Sequence, residues 1–325
     1  MRNITVREAL REAMAEEMRA DDRVFLLGEE VANYDGAYKV SKGMLAEFGP
    51  RRVIDTPISE YGFTGVSVGA AFRGLRPIVE FMSFNFAMQA IDHIINSAAK
   101  TLYMSGGSVS CPIVFRGLNG TAVQVGAQHS QCFASWFAHC PGLKVVSPYD
   151  SMSAKYLLKA AIKDSNPVVF LESEIMYGRS FDIDDEAGES IALDKSVVRR
   201  VGRDVSVISF SVSVDRCLKA AEILHNEHGI DAEVIDLVSL RPIDINGVIS
   251  SLRKTHRFVS VEEGWAPYGV GAEIVSVINE HGFDELDSHP IRISGADVPM
   301  PYSKPLEAAA IPSVELIVKR VLSLF

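Results

Sequence analysis

Glu60 lies between Ile58 and Phe63 in the run Asp55-Thr56-Pro57-Ile58-Ser59-Glu60-Tyr61-Gly62-Phe63-Thr64-Gly65, just after the strand-like Arg52-Val53-Ile54. A carboxylate in apolar company is desolvated, and desolvation raises its pKa towards neutrality. A carboxyl with a pKa near the working pH passes a proton in either direction. On these residues alone a second reading stays open: Ser59 or Thr56 starts a helix, and Glu60 only favours the positive end of its dipole. His129, in Gly126-Ala127-Gln128-His129-Ser130-Gln131-Cys132, is a second proton-transfer candidate, because imidazole titrates near neutral pH. A lone histidine is more often structural, and the loop by itself does not decide.

Three further stretches offer binding chemistry. In Glu80-Phe81-Met82-Ser83-Phe84-Asn85-Phe86-Ala87-Met88-Gln89, aromatic and methionine side chains crowd a strand-to-helix turn. Ligands of open parallel sheets bind at such turns. Phe86 and Gln89 are three apart, so one can stack on a flat ring while the other offers a hydrogen bond; core packing is the plainer reading of each single aromatic. Lys159 to Pro167 ends a helix whose last turn leaves free carbonyls. Asp164 and Asn166 add oxygens, which makes either a cation site or a plain helix cap. Gly65 and Gly69 share a helix face and permit close approach of another backbone, which predicts tight packing at a subunit interface.

Other patterns carry less. His225 and His228 flank Glu227 on a helix without a third zinc ligand, as a solvated helix end does. Tyr268-Gly269-Val270-Gly271-Ala272-Glu273 is like a dinucleotide fingerprint but lacks its third glycine. No GxxxxGK[ST] loop occurs, nor a Gly-Asp-Gly followed about thirty residues later by Asn-Asn, the pattern that holds magnesium and a diphosphate in thiamine enzymes.

The elements that must position these residues alternate between strand and helix. Thr5 and Glu8 form a capping box for a first helix. Strands are predicted at 24–28, 76–81, 112–116, 144–146 and 168–171, and helices at 63–72, 87–103 and 151–163. The acidic stretch Asp182 to Asp194 reads as a linker. Strands at 205–210, 232–237, 258–261 and 291–293 then alternate with helices at 214–228, 245–252, 271–280 and from Ser313. This pattern predicts an α/β chain of two mostly parallel, doubly wound domains, residues 1–185 and 195–325. A length of 325 residues suits two sizeable cores. A net charge of −10 argues against nucleic acid, whose phosphates need clustered Lys and Arg. No run approaches the roughly 20 apolar residues of a membrane span. The N-terminus reads as neither signal nor transit peptide, so a cytosolic chain is expected. The four cysteines show no CxxC spacing and read as reduced thiols.

Taken together, DTPISEYGFTG, EFMSFNFAMQAIDHIINSAAK, GAQHSQCFASWFAHCPGLKVVSPY, VIDLVSLRPID, VEEGWAPYGVGAEI and GADVPMPYSKPLE closely resemble the beta subunits of the thiamine-diphosphate-dependent component of pyruvate dehydrogenase. The resemblance covers nearly the whole chain. It implies a transketolase-like pyrimidine-binding domain followed by a transketolase-type C-terminal domain. It implies that the Gly-Asp-Gly motif and its magnesium belong to an alpha subunit, with two alpha and two beta chains sharing the site. Glu60 would hydrogen-bond the aminopyrimidine ring of thiamine diphosphate. Ile58, Met82, Phe86 and Gln89 would line the pyrimidine pocket, with Phe86 as the stacking ring and Phe84 as its rival. His129 would stand near the reacting carbon and help pass the acyl group to lipoamide.

The same resemblance implies a structural potassium site at Ile113, Ala161, Ile162, Asp164 and Asn166, and a C-terminal domain that docks the lipoyl acyltransferase core. Leu118 stands where relatives often have proline, which would loosen its loop. Pyruvate is the expected substrate, since Phe84-Asn85-Phe86 and His129-Ser130-Gln131-Cys132 look like the pyruvate branch. Branched-chain 2-oxo acid and acetoin dehydrogenase beta subunits share the frame, and a non-catalytic docking subunit is the reading from a different class. The bacterial cytoplasm is the implied location, or the mitochondrial matrix if a transit peptide was removed.

Overall fold

The computed structural model describes residues 1–188 and 191–325. The chain divides into two compact units, Met1–Asn119 with Trp136–Leu193, and Gly120–Ser135 with Asp194–Phe325. The sequence assigned Gly120–Ser135 to the first domain; in the structure this loop groups with the second.

In the first unit, strands β1 (Arg2–Thr5), β2 (Val24–Gly28), β3 (Val53–Asp55), β4 (Arg76–Phe81), β5 (Val114–Leu118), β6 (Lys144–Val146), β7 (Val168–Glu172) and β8 (Ser180–Ile183) follow in chain order. Six of them lie side by side as β6-β7-β5-β4-β2-β3. Every pair in that row is parallel. Their side chains are buried on both faces in β5 and β7, which is why these runs are nearly continuous in apolar residues. Thr5 caps the helix Val6–Ala20 and Glu8 returns the bond to the Thr5 amide, so the capping box is real. The helix Ser151–Lys163 starts on a second box made by Asp150 and Ser153. Leu118 does not loosen its loop: it is buried, paired with Glu172, and followed by an Asn119 amide that donates to the Glu172 carbonyl at 2.7 Å.

The acidic stretch read as a linker is partly ordered structure. Asp182 belongs to β8, which pairs antiparallel with β1. Asp185 accepts from Arg2 Nε, Lys155 Nζ and Tyr156 Oη at 3.1, 3.1 and 2.6 Å. These partners hold its carboxyl well below the usual carboxylate range, Tyr156 and Arg2 being the main causes. Glu189, part of the same expected linker, lies outside the described residues.

Glu80, Arg116 and Glu172 lie on neighbouring strands β4, β5 and β7 and form a buried ionic cluster. Arg116 Nε and Nη2 donate to the two Glu172 oxygens at 2.7 and 2.6 Å, Arg116 Nη1 donates to Glu80, and Tyr177 Oη donates to Glu172. Arg116 is 1% exposed. Burial raises the Glu80 carboxyl; Arg116 opposes this and Glu172 adds to it.

The second unit holds β9 (Val197–Arg200), β10 (Val205–Ser209), β11 (Ala232–Asp236), β12 (Ser239–Arg241), β13 (Phe258–Trp265) and β14 (Ile291–Gly295). Five of these form a sheet in the order β14-β13-β10-β11-β9, parallel except for the antiparallel edge strand β9. Helices Ser213–His228, Ile245–Thr255, Val270–His281 and Val314–Leu322 connect or follow the strands. The expected helices lie in the same places; the edge strand β9 and a short helix at Lys304–Ala310 were not legible.

Replacing Arg116 by Met would leave two buried carboxyls without their cation. Breaking a buried ion pair from one side costs about 3–5 kcal/mol. R116M is therefore expected to lower the urea-unfolding free energy by about that amount, and a loss below about 1 kcal/mol would contradict the reading of this cluster as one unit.

Candidate active site

Because β2, β3 and β4 are parallel neighbours, their carboxyl ends open on one edge of the sheet. Glu29 follows β2, Glu60 follows β3 after four residues, and Met82 follows β4. Glu60 is the first residue of the helix Glu60–Phe72. Ser59 stands at the N-cap but makes no side-chain capping bond, and Glu60 is only 3% exposed. The helix-start reading is thus correct in position, but Glu60 is not a solvated dipole partner. It lies beside Glu29, whose Oε1 is buried without a hydrogen-bond partner. Burial, with the charge of Glu60 adding to it, pushes the Glu29 carboxyl up to about 7. Thr64, one turn on from Glu60 and so on the same helix face, also buries its hydroxyl without a partner. Both atoms lie buried at this edge without a partner within the chain.

Asp55, at the end of β3, holds the chain that follows Glu29. Its Oδ1 accepts from the Ala32 amide at 2.6 Å, and its Oδ2 from the Asn33 amide at 3.1 Å and side chain at 2.7 Å. Burial pushes the Asp55 carboxyl up, but these donors outweigh it and keep it below its ordinary range.

The turn after β4 separates the two phenylalanine candidates. Phe84 is 0% exposed and packs on Phe81 and Phe137 at 5.9 and 5.4 Å between ring centroids. It is core. Phe86 and Met82 are half-buried and Gln89 is exposed, so none of the three is core as Phe84 is. Ser83 caps this turn, accepting from the Asn85 amide and side chain at 3.2 and 2.6 Å. Ile58 is 85% exposed and contributes nothing to the core of this chain. Gly65 serves the chain itself: a Cβ there would stand 2.7 Å from Nε2 of His93, whereas Gly69 faces open space. The shared face expected of the two glycines is therefore used from within at Gly65.

His129 is half-buried and sits in the loop that belongs to the second unit. Its amide donates to the Gly126 carbonyl at 3.3 Å, and Ser130 Oγ donates to the same carbonyl at 2.8 Å. The expected potassium ligands gather at the amino-terminal edge of the first sheet. Arg76 Nη1 donates to the carbonyls of Ile162 and Asp164 at 2.8 and 3.0 Å, and the Ile113 carbonyl accepts the Val168 amide at 2.9 Å. Asp164 pairs with Lys144 and accepts twice from Asn166 at 2.8 Å.

The dinucleotide-like run is filled from within. Glu262, 3% exposed, accepts from the amides of Val270 and Gly271 at 3.2 and 2.8 Å, where a phosphate would otherwise sit. A Cβ on Gly269 or Gly271 would stand 2.6 or 3.0 Å from Glu262 Oε1, so both glycines make room for that carboxylate. His225 pairs with Asp231 at 2.7 Å, and among the described residues no group of three metal-ligating side chains occurs. Among the same residues no helix is long and apolar enough to cross a membrane.

Residues 2–179 match the family described as "Transketolase, pyrimidine binding domain", and residues 194–317 match "Transketolase, C-terminal domain". The chain is 57% identical over 321 residues to the pyruvate dehydrogenase E1 component subunit beta of Rhizobium meliloti, covering 99% of this chain and 70% of that one. It is 57% identical over 323 residues to the mitochondrial subunit beta of Saccharomyces cerevisiae, covering 98% and 88%. With the subunit beta of Caenorhabditis elegans it shares 58% over 322 residues, covering 98% and 91%. The chain belongs to the family of pyruvate dehydrogenase E1 component beta subunits. Its fold is also that of a split-gene transketolase, an inactive beta4 tetramer, with a TM-score of 0.81, 22% identity, and coverage of 99% of this chain and 98% of that one.

Within this family frame the sequence pointed to Glu60 but not to Glu29. In Gly28-Glu29-Glu30-Val31 nothing marks Glu29 as buried; the only signal is its place directly after a strand that is second from the sheet edge. A carboxyl held near 7 in the folded state, against 4.5 as its ordinary value, binds its proton more tightly when folded. The stability this proton lends declines as pH rises from about 4.5 towards 7. Glu29→Gln removes that titration. The melting temperature of the wild type, measured against E29Q, should therefore fall across this window; a constant difference would contradict the assignment.

Proposed function

We propose that this chain is the beta half of a component that decarboxylates pyruvate and passes the acetyl group to a lipoyl group. The observation that carries the proposal is the Glu29–Glu60 pair: two buried carboxyls at the carboxyl edge, one of them raised to about 7. Thiamine diphosphate, when bound, supplies the electron sink that decarboxylation of a 2-oxo acid needs. The residues fit the pyrimidine end of that cofactor. Glu60 offers a carboxyl to a ring nitrogen, Glu29 keeps a proton in the same dry site, and Phe86, Met82, Ile58 and Gln89 offer a stacking face, apolar walls and an amide. His129 holds or donates a proton during acyl transfer.

An alpha subunit is proposed to bring the diphosphate anchor and magnesium, in an assembly of two alpha and two beta chains, and the C-terminal unit to dock the lipoyl acyltransferase core. Support for this comes from the sequence, which has no diphosphate motif of its own, and from Glu262, which occupies the helix start at Val270 where a phosphate could sit. Pyruvate is the proposed substrate on the strength of the relatives' names. With Phe84 in the core, only Phe86 remains to narrow the pocket against branched chains. The proposed location is the compartment that oxidises pyruvate, the bacterial cytoplasm or the mitochondrial matrix.

Glu60→Gln tests the central claim. An amide keeps the shape but cannot exchange the proton. In the complex reconstituted with the alpha subunit, carbon dioxide release from pyruvate should fall by about 10²–10⁴-fold, the usual worth of a general acid or base. The beta chain without alpha should release none. Activity of E60Q within about twofold of wild type would refute the role.

A potassium ion at Ile113, Ala161, Ile162, Asp164 and Asn166 is proposed as a stabilising element only. Arg76 and Lys144 already serve part of this oxygen set, so its contribution is small. Melting in potassium chloride should exceed melting in choline chloride at equal ionic strength; equal melting would remove the ion from this site.

A further inference from the structure

We propose that Glu263 is the positioning residue that fixes the His129 loop for acyl transfer; the inference rests on the acyl-transfer role proposed for His129. The loop has no strand or helix of its own between Gly120 and Cys132. Something else must hold it. Its base is closed by the Gly120 amide, which donates to the Gln131 carbonyl at 2.9 Å. Glu263 grips that base. Its Oε2 accepts from Thr121 Oγ1 at 2.6 Å and from the Thr121 amide at 3.2 Å. Its Oε1 accepts from Arg216 Nη1 at 2.7 Å. The carboxylate is buried, with its side chain 8% exposed, and Arg216 is 15% exposed. A buried charge-assisted set of this kind is stronger and more directional than neutral hydrogen bonds.

The backbone is built to allow the grip. Gly120 has φ +82°, and a Cβ there would stand 3.1 Å from Glu263 Oε2. The β13–β14 register shifts between Val261 and Trp265, and that irregularity spans Glu262 and Glu263. Successive strand residues point to opposite faces. Glu262 therefore turns to the helix start at Val270, and Glu263 turns to the loop. The far side of the loop is held independently. The Gln124 amide donates to Glu307 at 3.0 Å, and Gly126, at φ +77°, lies against the Tyr302 ring, 2.5 Å from where a Cβ would be. The His129 amide and Ser130 hydroxyl both return to Gly126. The imidazole is thus carried on a loop pinned at two points, of which Glu263 supplies the one anchored on an arginine.

In the transfer itself the lipoyl S–S bond breaks. One sulfur takes the acetyl group and the other takes a proton, while the electron pair left by departing carbon dioxide reduces the disulfide. A donor of that proton must be placed accurately, since a displacement of about 1 Å can cost about 10²-fold. Glu263→Gln keeps the volume but cannot accept from Arg216 and from both Thr121 donors with two charged oxygens.

The test uses the alpha–beta complex with a lipoylated acyltransferase domain. Two rates are read: carbon dioxide release with dichlorophenolindophenol as electron acceptor, and acetylation of the lipoyl domain by mass spectrometry. E263Q should lower the ratio of acetylation to carbon dioxide release by about 10–100-fold, and E263D should recover part of it. An equal fall in both rates, or no change in the ratio, overturns the proposal. His129→Ala separates the two claims. If H129A shifts the ratio and E263Q does not, only the positioning role fails. If H129A leaves the ratio unchanged, the role of His129 fails and this inference fails with it. Should E263Q not fold, Thr121→Val removes one of the three bonds; a smaller shift in the same direction is expected, and none would overturn the proposal.

Discussion

Two carboxyls that share a dry site cannot both carry charge. The carboxyl edge of the first unit is organised around that constraint. Glu60 opens a helix and is buried there, while Glu29, beside it and also buried, is pushed up to about 7. Glu29 does not gain a charge partner from the arrangement. Burial disfavours its charge, and an unpaired oxygen is left inside. Strain of this kind survives where the surrounding frame over-determines it. Here the frame is the parallel pairing of β2 with β3 and β4, which fixes where each strand releases its chain, and the Asp55 carboxylate, which ties down Ala32 and Asn33 just beyond Glu29.

The second cluster of buried charge in the same sheet solves the opposite problem. Glu80 and Glu172 stand on either side of Arg116, and the guanidinium satisfies both. Gly28 pairs with Glu80 in register, and a Cβ on Gly28 would stand 2.5 Å from the Glu80 carbonyl. The strand end that releases Glu29 is therefore packed directly on the strand that carries the paired cluster. A satisfied network makes the sheet stiff at the point where an unsatisfied pair must be held still. One sheet thus places an ionic cluster held by an arginine beside a carboxyl pair that has none.

How much of this could be read beforehand depended on whether the signal was local. The capping box at Thr5, the helix Ser151–Lys163 and the strands of both units follow from periodicity and caps, which are properties of neighbouring residues. The burial of Glu60 was legible because its apolar neighbours lie within the same eleven residues. Glu29 was not, because its burial comes from strands far away in the chain. Phe84 and Phe86 looked alike in sequence; only the packing of Phe84 on Phe81 and Phe137 separates core from surface. Asp182 to Asp194 read as linker because acidic residues usually face water, yet Asp185 is held by Arg2, Lys155 and Tyr156. The loop Gly120–Ser135 was assigned by its place in the chain, whereas Glu263, Glu307 and Tyr302 attach it to the second unit.

The pair Glu262 and Glu263 shows how one irregular strand can settle two questions at once. Adjacent carboxylates in water would repel and contribute little. On β13 they point to opposite faces, and each finds its own set of donors: two helix-start amides for Glu262, and Thr121 with Arg216 for Glu263. Glu262 removes an anion site that the glycines around it would otherwise offer. Burial raises its carboxyl, and the two amides oppose that rise. Glu263 gives the second unit a charged hold on a loop that lies between β5 and the rest of the first unit in sequence. The wide sequence separation of those contacts means that the loop is placed only when the second unit is folded. Any chemistry that His129 performs is then conditional on the C-terminal half of the chain, although the residue itself is encoded in the N-terminal half.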